Sequence, residues 1–491
     1  MHMKHNIRFR LNESLYELAV RDEALALDWI RNEAGLKGTK EGCREGDCGA
    51  CLVMFGGRDA LGQVEWQTVT SCTLAMGELD GRHIITIEGL AAAGLTPVME
   101  AMLEEGASQC GFCSPGFILA LTGYLVSGAK IDAVAAMTAI EGNLCRCTGY
   151  GSIRRAATRL AKDFSGLPEG LIPRLLVLSE RGVLPPSLAA LMNDPPAPVG
   201  HPYEADIQAV VGAIPTSAPA IGGGTDFFVR NPDPDESLSL HFTGSEPGAR
   251  AIGSRDLGGK KFISLGSGVT ATDFFNSAAV QAIAPGIEGF QLDIASPPIR
   301  NRATLAGNIA NASPIADMTA ILIALDARLE LHAATADGDS LRYLDLPEFF
   351  LSYKKTDLRP GERISAILIP AKTVLFNFEK AAKRARLDIA TVNSAIALSL
   401  GPDGSIRAAC YAAGGIAPVP LRLRGVEASL IGKKPSAALA REVGSMAMEA
   451  GSPIGDVRGS SGYRRRLMER FAWAHFIRLW PQLKLEEELF K

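Results

Sequence analysis

The sequence predicts an α+β protein built from several domains. A length of 491 residues corresponds to roughly three or four domains. Strand-like and helical patterns alternate along the chain, and eight of the nine cysteines lie in two compact groups before residue 148. We place the domains at residues 1–88, 89–165, 203–372 and 373–491, with a linker at 166–202.

The first domain, residues 1–88, is predicted to be a small mixed sheet with one helix across it. Residues 7–20 alternate as in a β-hairpin with a turn at 12–14. A short amphipathic helix at 24–32 and strands at 52–55, 66–70 and 83–87 follow. A cysteine loop at the edge of such a sheet indicates the β-grasp ferredoxin arrangement.

The cysteines of this domain have the spacing C-x4-C-x2-C, with a fourth cysteine further along: Cys43, Cys48, Cys51 and Cys72. This is the plant-type ligand pattern of a [2Fe–2S] cluster. Glycines in the loop allow backbone N–H groups to approach the sulfur atoms closely. A zinc site, which more often shows two short cysteine pairs, a disulfide and free thiols are the alternatives.

A second cysteine group consists of a C-x2-C pair, Cys110 and Cys113, and a C-x-C pair, Cys145 and Cys147. Helical patterns follow each pair, at 117–126 and 153–164, and others occupy 98–104 and 133–140. We predict a four-helix domain with both pairs at helix N-termini, which favour an anionic cluster. A second [2Fe–2S] cluster or a zinc site fits the pattern. Cys410 stands apart and is predicted to be a buried structural thiol.

Prolines crowd residues 166–202, and the segment shows little periodicity. Beyond it, a glycine-rich turn comprises Ile221, Gly222, Gly223, Gly224, Thr225 and Asp226. Its N–H groups could hold a pyrophosphate, and a purely structural turn is an equal alternative. The turn is neither G-x-G-x-x-G nor a P-loop.

Residues 296–317 are dense in small, hydroxyl and amide side chains, which suits a backbone lying close to a polar ligand. Asp317 either contacts a ribose or adenine edge of that ligand or caps a helix. Strands at 377–380, 391–400 and 406–414 predict a three-stranded antiparallel sheet, followed by helices at 426–431, 437–450 and 463–478. The basic segment 380–388 is by default a charged loop.

The charge and hydropathy exclude several classes of partner. A net charge of −4 and a pI near 6.1 give no reason to expect nucleic acid or a membrane surface. The N-terminus lacks the apolar core of a secretory signal, and no run approaches the ~18 apolar residues of a membrane span. Clustered cysteines favour metal binding in the cytoplasm over disulfides in a secreted protein.

Residues 41–51, 109–116 and 142–150 are similar, almost letter for letter, to the two cluster motifs of the xanthine dehydrogenase family of molybdenum hydroxylases. Over nearly its whole length the chain resembles the small iron–sulfur/FAD subunit of bacterial members. Residues 222–226 and 299–317 resemble the family's flavin segments more loosely. The family more often has Gly-Gly-Asn at 306–308 and Gln at 298.

The resemblance implies an electron-transfer role with no catalytic residue on this chain. Electrons from a molybdopterin site on a large partner subunit would pass through the cluster of Cys110, then that of Cys43, to FAD and NAD+, as hypoxanthine and xanthine are oxidised to urate. A dimer of such heterodimers is implied. By position, the FAD contacts would be Thr304, Asn308, Ser313 and Asp317, with Lys380 and Asp388 beside the flavin ring.

Three other functions remain open. The partner could oxidise an aldehyde, a nicotinate-like heterocycle or another purine. The chain could instead be a stand-alone iron–sulfur flavoprotein reductase, or a zinc-stabilised interaction protein.

Overall fold

The structure, a computed structural model, describes residues 4–59, 62–128, 130–199, 219–235, 240–246, 248–335 and 338–491. The chain divides into two compact units: residues 1–247 with 296–303, and residues 248–295 with 304–491. The predicted boundary at 202/203 lies outside the described residues, and the other domain boundaries remain predictions. The predicted domain 203–372 is divided between the two units.

The first unit begins with a five-stranded mixed sheet. Its strands, in spatial order, are Ser14–Val20, His5–Leu11, His83–Ile85, Leu52–Arg58 and Val64–Thr70. The first two form the predicted antiparallel hairpin, and His5–Leu11 pairs in parallel with His83–Ile85. The helix predicted at 24–32 is observed as an α-helical turn, Ala26–Asp28, that continues as a π-helical turn, Trp29–Glu33.

The strand Leu52–Arg58 shows why this sheet is covered on both faces. Val53 and Phe55 pack with Phe9 in the core of the β-grasp domain. Leu52 and Met54 point to the opposite face, because side chains alternate along a strand, and pack into the core of the helical domain. One short strand therefore joins two hydrophobic cores.

The predicted four-helix domain is confirmed. Its helices are Pro97–Glu104, Ser114–Val126, Ala133–Ala139 and Gly151–Asp163, preceded by the short helical segments Ile87–Leu90 and Ala91–Ala93. Every residue from Gly116 to Val126 is buried, so this helix is the centre of the bundle. Helix Gly151–Asp163 is amphipathic and buries only its apolar face.

The segment 166–202, predicted as a linker with little periodicity, instead contains two helices, Leu171–Glu180 and Pro186–Met192. Leu175, Leu178 and Leu188 are buried in the helical core, and the carbonyl of Met192 accepts a hydrogen bond from Trp66 Nε1 at 2.9 Å. The prediction was wrong because the prolines do not interrupt these helices. Proline in the first turn lacks only an N–H that has no intrahelical partner there.

The glycine-rich turn belongs to the first unit. It follows strand Ala220–Ile221, which pairs in parallel with His241–Phe242, and it precedes the short helix Phe227–Arg230. Ile221 and Phe228 pack against Leu25 and Ala75 of the β-grasp domain. Helix Pro297–Arg300 also lies in this unit.

The second unit contains an antiparallel sheet of five strands: Gly338–Asp345, Arg328–Thr335, Glu362–Pro370, Lys260–Gly266 and Ile252–Leu257, in spatial order. Its helices are Ala271–Asn276, Ala278–Ile283, Leu305–Ala310 and Asp317–Ala324, with 3₁₀ segments Ile287–Asp293 and Leu346–Phe349 and a hairpin of Phe350–Ser352 and Lys355–Thr356. These elements share one hydrophobic core.

The C-terminal part of this unit contains the predicted antiparallel strands, observed as Leu375–Ala381, Val392–Leu400 and Ile406–Gly414. A short fourth strand, Leu421–Arg422, pairs with the last of them. Helices Arg424–Leu430, Ala437–Glu449, Ser461–Leu479 and Glu486–Leu489 follow. The first and third pack against the sheet, and Ala437–Glu449 packs on those two helices.

Candidate cofactor sites

The eight candidate ligand cysteines lie in four close pairs. Thiol–thiol interactions join Cys43 with Cys48, Cys51 with Cys72, Cys110 with Cys147, and Cys113 with Cys145. The Sγ atoms of Cys110 and Cys147 are 3.7 Å apart. A disulfide requires ~2.05 Å, and all nine cysteines are free thiols.

Pairing in twos fits the chemistry of a [2Fe–2S] cluster, which takes four thiolates on two irons. A single zinc ion requires all its ligands around one point. Two thiol pairs in each domain therefore match the two irons of a [2Fe–2S] cluster.

Hydrogen-bond donors point at several of these sulfur atoms. The Cys43 N–H donates to Cys48 Sγ, and the Glu45 N–H donates to Cys43 Sγ, each at 3.3 Å. The N–H and hydroxyl of Thr148 donate to Cys145 Sγ at 3.5 and 3.2 Å. Such donors favour the thiolate, which is the form that binds metal.

The pKa values of two thiols reflect these donors. The hydrogen bond from the Cys48 thiol, helped by backbone N–H groups, lowers the pKa of Cys43 to about 5 although burial opposes it. Burial disfavours the thiolate of Cys145, but the hydrogen bonds from Thr148, together with those from the Cys147 N–H and the Cys113 thiol, outweigh it and lower the pKa to about 7.

The two cysteine sites differ in their exposure to solvent. Cys51 and Cys72 are 2% and 1% exposed. Cys110 and Cys147 are exposed, and the side chain of Phe112, which stands between Cys110 and Cys113 in the sequence, is 47% exposed. The helical site is therefore open at the surface of this chain, whereas half of the β-grasp site is enclosed.

A tight backbone contact joins the two sites. The Leu144 N–H donates to the carbonyl of Cys48 at 2.9 Å, and Asn143 Nδ2 donates to the carbonyl of Gly49 at 3.2 Å. Gly49 has φ +67°, and a Cβ there would lie 2.4 Å from the Gly142 carbonyl oxygen. Glycine is therefore required at this position for the contact between the two sites. The sequence had indicated only that loop glycines let backbone N–H groups approach the sulfur atoms. Asn143 was not singled out from the sequence.

The glycine turn is held by close contact with Arg302. A Cβ on Gly223 would lie 1.6 Å from the Arg302 carbonyl oxygen, and Gly224 has φ +70°. Asp226 pairs with Arg230 at 2.9 Å, and Thr225 is half-buried. These contacts account for two glycines structurally, so the pyrophosphate role of the turn remains a prediction.

Arg302 is 5% exposed and was not identified from the sequence. Its Nη2 donates to the carbonyl of Gly223 at 2.7 Å, to Glu78 Oε2 at 2.7 Å and to the carbonyl of Thr73 at 3.3 Å. Its buried Nε has no partner among the described residues. The only sequence signal was an arginine among small and apolar residues.

In the second unit, three of the predicted flavin contacts make local hydrogen bonds. Thr304 caps helix Leu305–Ala310 by accepting from the Gly307 N–H at 3.0 Å. Asn308 Oδ1 accepts from the Thr319 hydroxyl at 3.0 Å. Ser313 Oγ lies 3.5 Å from the Ile315 nitrogen. These bonds order the segment that the sequence singled out.

Asp317 and Lys380 are brought together as a buried ion pair of 2.7 Å. Lys380 also donates to the carbonyl of Asp293 at 2.7 Å, and Asn393 Nδ2 donates to Asp317 Oδ1 at 2.6 Å. Burial raises the pKa of Asp317, and the Lys380 charge opposes that shift. Ala316 occupies the N-cap position, so the helix-cap alternative for Asp317 is not observed.

The donors and acceptors around this pair fit a polar ligand. Lys380 uses two of its three N–H donors within the described residues. Asn393 Oδ1 is buried and without a partner among those residues, and no sequence signal had marked Asn393. Such unused groups are expected where a ligand completes the hydrogen bonding.

The side chains of Asp388 and Cys410 are hydrogen-bonded to neighbouring protein groups. Asp388 accepts from the N–H groups of Arg384 and Ile389 at 2.8 and 2.9 Å and closes its own loop, whereas Lys380 points inward. Cys410, predicted to be buried, is partly exposed. Its sulfur accepts from Arg422 Nη2 at 3.1 Å, and burial raises its pKa to about 12.

Four protein-family descriptions match consecutive parts of the chain. They are "2Fe-2S iron-sulfur cluster binding domain" at residues 9–76, "[2Fe-2S] binding domain" at 86–158, "FAD binding domain in molybdopterin dehydrogenase" at 257–372, and "CO dehydrogenase flavoprotein C-terminal domain" at 378–478. Each of the eight paired cysteines lies within one of the first two ranges.

Curated relatives match over nearly the whole chain. Xanthine dehydrogenase of Emericella nidulans is 26% identical over 97% of this chain and 39% of its own length. A nicotinate hydroxylase of the same organism is 27% identical over 92% of this chain and 39% of its length. The chain therefore spans about two-fifths of the curated relatives that it matches.

A solved structure titled carbon monoxide dehydrogenase, from Hydrogenophaga pseudoflava, aligns with a TM-score of 0.47 and 26% identity over 55% of this chain and 94% of that chain.

The chain is an iron–sulfur and FAD electron-transfer module. Its matched domains are similar to those of the oxidoreductases known as molybdenum hydroxylases. Among its described residues, no helix is both long and apolar enough to cross a membrane.

Proposed function

We propose that this chain is the electron-transfer subunit of a xanthine dehydrogenase, which takes electrons from a molybdopterin-bearing partner and delivers them to NAD+. The observation that carries the proposal is the difference between the cysteine sites. One site is exposed, the other is half enclosed, and a hydrogen bond from Leu144 to Cys48 links them. This arrangement suits entry of electrons at the surface and passage inward.

The cluster ligands follow from the cysteine pairs described above, and the FAD contacts are those that the sequence predicted. Cys110, Cys113, Cys145 and Cys147 would hold one [2Fe–2S] cluster, and Cys43, Cys48, Cys51 and Cys72 the other. Ile221 to Asp226, Thr304, Asn308, Ser313, Asp317 and Lys380 would contact FAD. When bound, the clusters carry single electrons and FAD exchanges them with a two-electron acceptor.

The exposed face around Cys110, Cys147 and Phe112 is the surface where we place the large subunit. A partly exposed phenylalanine beside two exposed ligand thiols suits burial at a subunit interface. We further propose that two such heterodimers form a dimer. We also propose a cytoplasmic location, because all nine cysteines are free thiols and such thiols are typical of a reducing compartment.

The first experiment measures iron, FAD and visible absorbance of the purified full chain before and after NADH. About four iron per chain and one FAD, with absorbance that NADH bleaches, would support the cofactors and the nicotinamide acceptor. Bleaching by dithionite but not by NADH would reject NAD+. Zinc in place of iron would reject the electron-transfer proposal as a whole.

The substrate is tested with the large subunit co-expressed. A nicotinate hydroxylase is as similar to this chain as a xanthine dehydrogenase, so hypoxanthine, xanthine, nicotinate and an aldehyde are compared in one assay of NADH formation. Formation of urate from xanthine supports the proposal. Turnover of only nicotinate or only the aldehyde assigns the chain to that type of hydroxylase instead.

A further inference from the structure

We propose that the ion pair of Arg302 and Glu78 sets the reduction potential of the cluster held by Cys43, Cys48, Cys51 and Cys72. This inference rests on the proposed cofactors. It concerns two residues that the sequence did not single out, although Arg302 lies within the flavin segment 299–317, and it follows from where their charges are placed.

The first step is the position of the guanidinium. Arg302 Nη2 lies 3.3 Å from the carbonyl oxygen of Thr73, and Thr73 directly follows the ligand Cys72. Cys72 is 1% exposed. The positive charge is therefore hydrogen-bonded to the backbone of the residue that follows a buried ligand cysteine. Solvent has little access to this region and screens the charge weakly.

The second step is burial of both charges. The side chains of Arg302 and Glu78 are 5% and 14% exposed, and their charged atoms are 2.7 Å apart. In a buried environment the effective dielectric is far lower than in water, so each charge acts more strongly on its neighbours. Reduction of a cluster adds negative charge, which a nearby cation stabilises and a nearby anion destabilises.

The third step is that one atom holds three segments together. Arg302 Nη2 donates to the carbonyl of Gly223 in the glycine turn as well as to Glu78 and Thr73. The same side chain therefore orders the glycine turn against the segment that carries Cys72. A change in Arg302 should alter both the cluster and the retention of FAD.

The test is an anaerobic redox titration of the full chain, with both clusters followed by EPR. Arg302→Gln removes the cation and should lower the potential of the β-grasp cluster. Glu78→Gln removes the anion and should raise it. In each case we expect the ratio of reduced to oxidised cluster, measured at one fixed solution potential, to change at least tenfold. For a one-electron couple this is a shift of 59 mV in the reduction potential.

Three comparisons distinguish this effect from general damage. Arg302→Lys keeps the charge and should stay within threefold of the wild-type ratio. Arg58→Gln, which breaks an exposed pair with Asp194, should change nothing. The helical cluster serves as an internal reference and should keep its potential in every variant.

Shifts of the same sign in Arg302→Gln and Glu78→Gln, or no shift in either, would overturn the inference. If Arg302→Gln loses its iron, a raised potential in Glu78→Gln together with an unchanged one in Arg302→Lys still supports it, and an unchanged Glu78→Gln refutes it. A wild-type chain with no reducible cluster would instead reject the proposed function itself.

Discussion

Replacement of Gly49 by alanine tests whether the two cysteine sites depend on one backbone contact. The added Cβ would lie 2.4 Å from the Gly142 carbonyl oxygen and 2.5 Å from Asn143 Nδ2. Both segments must therefore separate, which breaks the hydrogen bonds Asn143–Gly49 and Leu144–Cys48. Each bond contributes about 1 kcal/mol, so the contact accounts for about 2 kcal/mol.

The left-handed backbone adds a separate cost, which a matched control removes. Gly49 has φ +67°, and an alanine there costs about 1–2 kcal/mol from backbone strain alone. Gly106 has φ +64°, and a Cβ added there would have no other atom within 4 Å. Gly106→Ala therefore carries the strain without the collision.

The assay is the temperature at which cluster absorbance is lost, together with iron per chain. For domains of 150–250 residues, 1 kcal/mol corresponds to about 2–4 °C, so Gly49→Ala should lose its clusters about 4–8 °C below Gly106→Ala. Equal temperatures and full iron in both variants would show that the contact does not support the sites.

Three further predictions address other parts of the chain. Cys110→Ser should reduce iron from about four to about two per chain, whereas Cys410→Ser should leave it unchanged; equal losses would refute the ligand assignment. Lys380→Met leaves a buried carboxylate unpaired, so it should cost about 3 kcal/mol and lower FAD content, whereas Lys372→Met, at an exposed lysine, should retain both. Burial lowers the pKa of His475 to about 3 in the folded chain. As pH falls from about 6.5 towards 3, this histidine is protonated in the unfolded chain but not in the folded one, so acid destabilises the fold. At pH 5 this residue lowers the free energy of unfolding by about 2 kcal/mol relative to neutral pH. Thermal unfolding of His475→Gln should not show this pH-dependent destabilisation.

Much of the fold followed from local pattern. Alternation predicted the hairpin at 7–20, because side chains on successive strand residues face opposite sides of a sheet. The strands at 391–400 and 406–414 were also predicted and are observed within two residues of those bounds. The linker prediction failed for a similarly local reason. Prolines were counted as breakers, although those at 173 and 186 stand in the first turns of helices whose apolar faces are buried.

The candidate sites show the same division. Cys43 to Cys51 and Cys145 to Cys147 could be assigned from the sequence, because ligands that share one short loop leave their spacing in the chain. Lys380 was named only through resemblance, and the structure supplies its buried partner Asp317. Asn393, which completes that cluster, had no signal, since an asparagine in a strand is not distinctive.

The sequence by itself determined which side chains can bind metal and which segments alternate as strands or helices, because both depend on neighbours a few residues apart. Only the tertiary structure decided the pairing of the thiols, the contact of Gly49 with Asn143, and the position of Arg302. Arg302 and Thr73 are separated by 229 residues along the chain, and Arg302 and Gly223 by 79. Contacts over such separations arise from the packing of whole elements, which leaves no periodic trace in the residues that meet.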